Sequence, residues 1–204
     1  RRAMATAAPY TAYTPTIANP YPDVWRKVSA LEFETPLYLL RAPQALPIPG
    51  GREAQYLTAA DYVVSFRIDQ ERVRRRLVVP AGMLTDLASV PRLARWVVGR
   101  VGPHLEAAIV HDFLFIAWQE IGRGPQKRDF EFATAVMDAA MRAGGVGGLM
   151  RRAIRLAVAS PIARRTYEGV NPPPRFLHVP EAGDFTRSRD PQPSPAALAR
   201  THAA

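Results

Sequence analysis

Cysteine is absent from this 204-residue chain. That excludes disulfide scaffolds, thiol nucleophiles and cysteine-based zinc sites, and permits a reducing compartment without demonstrating one. Also missing is any run of roughly 18 uninterrupted apolar residues, so no membrane span is expected. The N-terminus lacks the long apolar stretch of a secretory signal, and no signal peptide is recognised. Lysine is nearly missing: only Lys27 and Lys127 stand among 27 basic residues, against 18 acidic ones. The net charge of +9 is therefore carried almost wholly by arginine. Such a surface favours anionic partners, whether nucleic acid, phospholipid or an acidic protein, although a genome-wide arginine bias produces the same composition. Nucleic-acid signatures are lacking too, because the basic residues do not interleave with aromatics and no binding motif occurs.

What is present is enough apolar residue, 48% of the chain, for one domain with a real core. The 20 prolines gather toward both ends. Residues 1–30, rich in Ala, Thr, Pro and Tyr, read as an extended N-terminal arm. Residues 168–204, opening on Asn171-Pro-Pro-Pro174, read as a Pro-rich C-terminal tail. Between them, 31–167 is expected to be a single α+β domain, a small antiparallel sheet followed by three to four helices. Phe33 to Arg41 carries strand-favouring residues, with Pro36 suggesting an edge, and Pro43 to Arg52 reads as a loop. Tyr62 to Ile68 alternates, Asp69-Gln70-Glu71 turns, and Arg72 to Val79 alternates again, which predicts an antiparallel hairpin. Ser89 and Pro91 suit the start of a short helix to Val98. Further helices are expected over 104–121, over Lys127 to Ala143 with a stop at Gly144-Gly145, and over Leu149 to Ala163.

The helix 104–121 is the centre of interest. It is apolar on nearly every side, yet it carries His111 and Asp112 in its middle. On a 3.6-residue period His111 is flanked by Ala107, Ala108, Leu114, Phe115 and Trp118. An ionised carboxylate in such surroundings is costly unless it is paired, hydrogen-bonded or metal-bound. Two acids are candidate partners. Asp129 shares the apolar face of the following helix with Phe132, Ala133, Val136 and Ala140, so it points inward toward His111, whereas Asp138 lies on a polar stripe. Helix geometry opposes that pairing, since it leaves an axial offset near ~10 Å. Asp86, in a loop after a strand, could hold a hard cation together with Asp112. The plainer alternatives are a turn or cap role for Asp86, a hydrogen-bond network pinning helices and loop for His111 and Asp112, and a helix cap rather than a nucleophile for Ser89.

Three segments carry a resemblance: Thr-Asp-Leu-Ala-Ser-Val-Pro-Arg (85–92), His-Asp-Phe-Leu-Phe (111–115), and Arg-Asp-Phe-Glu-Phe with Met141-Arg-Ala-Gly-Gly-Val (128–146). Together they resemble a phage-associated family, domain of unknown function 1353, over residues 30–167. The chain departs from that pattern at Phe115, where the family usually has Tyr. The resemblance implies a phage or prophage origin and names no activity. The order Asp, His-Asp, Asp is also similar to that of prokaryotic and fungal secretory phospholipases that cleave the sn-2 ester. That likeness implies His111 as general base, Asp129 orienting its imidazole, and Asp86 with Asp112 holding Ca²⁺. The cysteines that flank the phospholipase site are absent here, and the spacing to Asp129 is shorter.

Two functions are expected from these readings. One is a virion or tail component, located in the virion or host cytoplasm, whose arms contact other assembly subunits. The other is a Ca-type, metal-assisted hydrolase of an ester or amide.

Overall fold

A computed structural model describes residues 11–48, 52–69, 71–86, 104–170 and 174–179. Alternating apolar residues produce the first layer. β1 (Val28–Phe33), β4 (Tyr62–Ile68) and β5 (Arg75–Val79) form one antiparallel sheet in the order β1-β4-β5. The expected hairpin forms, pairing Tyr62 with Val79 and Phe66 with Arg75. It buries Tyr62, Val64, Phe66, Ile68, Leu77 and Val79. Opposite β4, strand β1 bulges between Ser29 and Glu32, where Ala30 adopts a φ of 49°. Arg74 holds that bulge by donating to the Ala30 carbonyl at 2.6 Å and to Glu32 at 2.9 Å.

A second antiparallel sheet, β2 (Leu39–Ile48), β3 (Arg52–Thr58) and β6 (Leu84–Thr85), was not expected. The presumed loop from Pro43 to Arg52 is largely strand. Its prolines are tolerated because β2 is an edge strand among the described residues. Pro36 falls in the break between β1 and β2, so the expected strand Phe33 to Arg41 is split in two.

The helical layer consists, among the described residues, of α1 (Leu105–Glu120), α2 (Lys127–Ala143), α3 (Gly148–Val158) and α4 (Pro161–Glu168). α1 and α2 pack together, and α2 also packs on β1. The expected helix Leu149 to Ala163 is interrupted. Ser160 caps α4 by accepting from the Ala163 N–H at 3.2 Å, and Pro161 occupies its first turn, where no donor is needed. The helix expected over 91–98, with its Ser89 cap, lies outside the described residues.

The expected arm boundaries also shift. The folded unit runs from Thr11 to His178, not from 31 to 167. Tyr21 and Val28 are core residues, and so are Tyr167 and Phe176. The reason is a clasp. Ala12 bridges Leu177, and Met83 bridges Phe176. Leu177 donates to the Gly82 carbonyl at 3.0 Å, and His178 to that of Thr11 at 2.8 Å. Isolated aromatics in Pro-rich sequence thus bury themselves through long-range pairing that no local period announces.

Candidate functional site

α1 is long enough, and apolar enough on all sides, to sit under both neighbouring segments, so its central polar residues fall inside the protein. His111 is only 3% exposed, and neither ring nitrogen has a hydrogen-bond partner among the described residues. Its ring lies 4.1 Å from that of Phe115, one turn on. Burial alone drives its pKa down to about 3, so the imidazole is neutral at neutral pH. A buried polar group in this condition costs about 1–3 kcal/mol, which makes the position unusual for a purely structural residue.

This burial has a measurable consequence. An imidazole that stays neutral when folded takes up no proton, whereas the unfolded chain binds one below about pH 6.5. Stability from this group is therefore present above that pH and is lost as pH falls toward about 3. Going from neutral to about pH 5 should cost about 2 kcal/mol through His111 alone. Urea denaturation at both pH values should show that loss in the native chain, and His111→Leu should lack it. Equal acid losses in the two proteins would rule out a buried, neutral ring.

Asp112, half-buried, accepts a hydrogen bond from the Thr85 hydroxyl at 2.9 Å. That bond joins the end of β6 to the middle of α1 and brings the half-buried Asp86, the next residue in the chain, to the same region. Among the described residues no group of three or more His, Asp or Glu side chains could hold a metal ion.

Asp129 stands elsewhere in its bonding. It is inward and 1% exposed, as the helical pattern requires, but its ion pair is with the Nε of Arg123 at 3.0 Å. Since both His111 nitrogens lack partners, Asp129 does not orient the imidazole, and that expectation is corrected. The axial offset explains the difference. His111 lies midway along α1, while Asp129 sits in the first turn of α2, beside the connector that bears Arg123. Burial raises the Asp129 pKa, opposed by the charges of Arg123 and Arg128.

Around Asp129 gathers a cluster the sequence did not reveal. Tyr21 donates from its hydroxyl to the Leu114 carbonyl of α1. Tyr167 of α4 has its pKa pushed up to about 12, first by burial and then by the charge of Asp129. Burial raises that of Tyr21 as well, with Tyr167 and Asp129 adding to it. The signal available was Arg123 between two glycines, a cation placed in a tight connector just before a buried acid. Phe115, Phe130 and Tyr167 pack around one another, with centroids 5.2 to 5.8 Å apart. Phe115 therefore works as packing surface for both His111 and the tyrosine cluster.

The class is now defined: an α+β domain of two small antiparallel sheets and a helical layer, with a histidine–aspartate pair in the central helix. Residues 62–158 match the family described as Protein of unknown function (DUF1353), the family that the three segments resemble. No curated protein and no solved structure matches the chain, so the phospholipase likeness gains no support.

Proposed function

We propose that this chain is a phage-derived, virion-associated component that joins neighbouring assembly subunits through its flanking segments. The observation that carries this reading is the clasp of Ala12 with Leu177, which gathers both ends of the folded unit at one edge beside β6. Residues 12 and 177 thereby lie next to each other within the folded unit, a layout suited to a link that uses both flanking segments.

One observation favours the hydrolase as second reading. The Thr85–Asp112 bond ties the segment that carries Asp86 to the helix that carries His111 and Asp112. Ca²⁺ held by those acids would polarise an ester or amide carbonyl, with His111 as the base.

A single series separates the two. Because Tyr21 and Val28 belong to the core, truncation has to stop at residue 10 and resume after 178. The full chain is expected in purified particles, and the 11–178 fragment is expected to fold without being incorporated. Absence of the full chain from particles, or incorporation of the fragment, sinks the assembly reading. Ester or amide hydrolysis that needs Ca²⁺ and disappears in His111→Ala would establish the second reading in its place.

A further inference from the structure

α3 is apolar on two opposite sides. Its inner side is accounted for: Ile154 and Val158 are buried and Met150 packs against the core. Its outer side carries Leu149, 86% exposed, and Leu156, 68% exposed, two turns apart on one stripe and roughly 10 Å from each other. Isolated surface leucines need no explanation, but two aligned on a helix already anchored by its other face do. α4 follows with Ile162, 76% exposed.

The charge around these aliphatics has one sign. Arg152 flanks the stripe between the two leucines and Arg155 lies further round the same flank, both exposed, whereas Arg151 falls toward the inner side with its Nε buried. None of the three is in an ion pair among the described residues. No acidic residue occurs between Asp138 and Glu168. Arg155 also lines a groove of about 700 Å³ between α2, the α3–α4 corner and residues 25–28. Inside it Lys127 and Arg142 are matched by Glu131 at 3.6 Å and Asp138 at 2.8 Å. Arg26, Lys27 and Arg155 have no such match among the described residues.

We infer that the outer face of α3 docks on an anionic phospholipid surface, with Leu149 and Leu156 entering the acyl boundary and the arginines taking the headgroup phosphates. Three occupants can be weighed against one another. A second copy would set arginine against arginine. Nucleic acid would neutralise the cations but leave the leucines in water. A lipid surface satisfies both at once, since it rewards apolar insertion and cationic approach together. The docking is peripheral: no helix among the described residues is long and apolar enough to cross a membrane.

The test is co-sedimentation of the full chain with vesicles of phosphatidylcholine, alone or with about half phosphatidylglycerol. The full chain should bind the anionic vesicles and largely ignore the neutral ones. Leu149→Ser with Leu156→Ser should lower the partition coefficient about tenfold or more, while circular dichroism and melting stay unchanged because both side chains are exposed. Each of Arg152→Ser and Arg155→Ser should lower it roughly fivefold at low salt and less at high salt. Leu149→Ile, keeping the apolar surface, should bind like the native chain. No binding to anionic vesicles overturns the inference. So does a leucine double variant that binds as well as the native chain, and so does duplex DNA that displaces the vesicles from native and variant alike.

Discussion

Gly82→Ala should cost about 3 kcal/mol or more of folding stability and release the C-terminal side of the clasp. Gly82 has a φ of +79°, and a Cβ there would lie 1.9 Å from the Leu177 carbonyl oxygen. Left-handed backbone costs an L-residue about 1–2 kcal/mol by itself. The clash adds to this, because the contact is backbone to backbone and no rotamer can relieve it. Gly82 is also bonded in both directions, donating to Thr58 at 2.7 Å and accepting from Leu177 at 3.0 Å. Moving the 174–178 segment aside would expose Phe176, at present fully buried, and forfeit about 1.5–3 kcal/mol of apolar burial. Gly122→Ala is the natural control. Gly122 also has a positive φ, +66°, but an added Cβ would have nothing within 4 Å. Thermal melts should therefore drop about 10 °C for Gly82→Ala and only a few degrees for Gly122→Ala. Equal drops would mean that residues 174–178 do not lie against the turn.

How far the sequence went follows the range of the forces involved. α2 was legible to the residue, since its apolar stripe, its acidic start and Gly144-Gly145 after it all mark the same helix. The β4–β5 hairpin was legible for the same reason, alternation across a short turn. The break at Ser160-Pro161 was written in the sequence as a cap followed by a proline, but continuous amphipathic spacing from Leu149 onward masked it. β2 was hidden by Pro43 and Pro47, which argue against a central strand and are neutral on an edge. Tyr21 and Phe176 could not be placed, because only long-range contacts fix them.

At the candidate site the same division holds. The period of α2 gave the direction of Asp129 correctly, yet a helical wheel carries no information along the axis. The choice between His111 and Arg123 as its partner was an axial question. The Thr85–Asp112 bond joins the end of β6 to the middle of α1, a long-range contact that no local period announces.

The Asp129–Arg123 pair yields the second large effect, an Arg123→Ala loss of about 3 kcal/mol at neutral pH, since removing one partner leaves a buried charge uncompensated. The pH dependence identifies the cause. Burial already raises the folded pKa of Asp129 above its unfolded value. Such an acid contributes stability that is fully present at low pH and is lost as pH rises through the folded pKa. Arg123 is the main influence holding that pKa down, so the variant shifts it further up and widens the window of loss toward neutral pH. The deficit of Arg123→Ala should therefore be largest near neutral pH and shrink in acid, where Asp129 is protonated in both proteins. His111 acts in the opposite sense, its contribution fading as pH falls. Combining Arg123→Ala with His111→Leu should thus give a protein with less acid sensitivity than either the native chain or Arg123's own removal would suggest from neutral-pH data. Adding Asp129→Asn to Arg123→Ala should recover most of the deficit, because an amide in that site carries no charge to compensate. Denaturant midpoints across the acid range measure all of these. A deficit in Arg123→Ala that does not change with pH would detach Asp129 from Arg123 and return it to the list of possible partners for the imidazole.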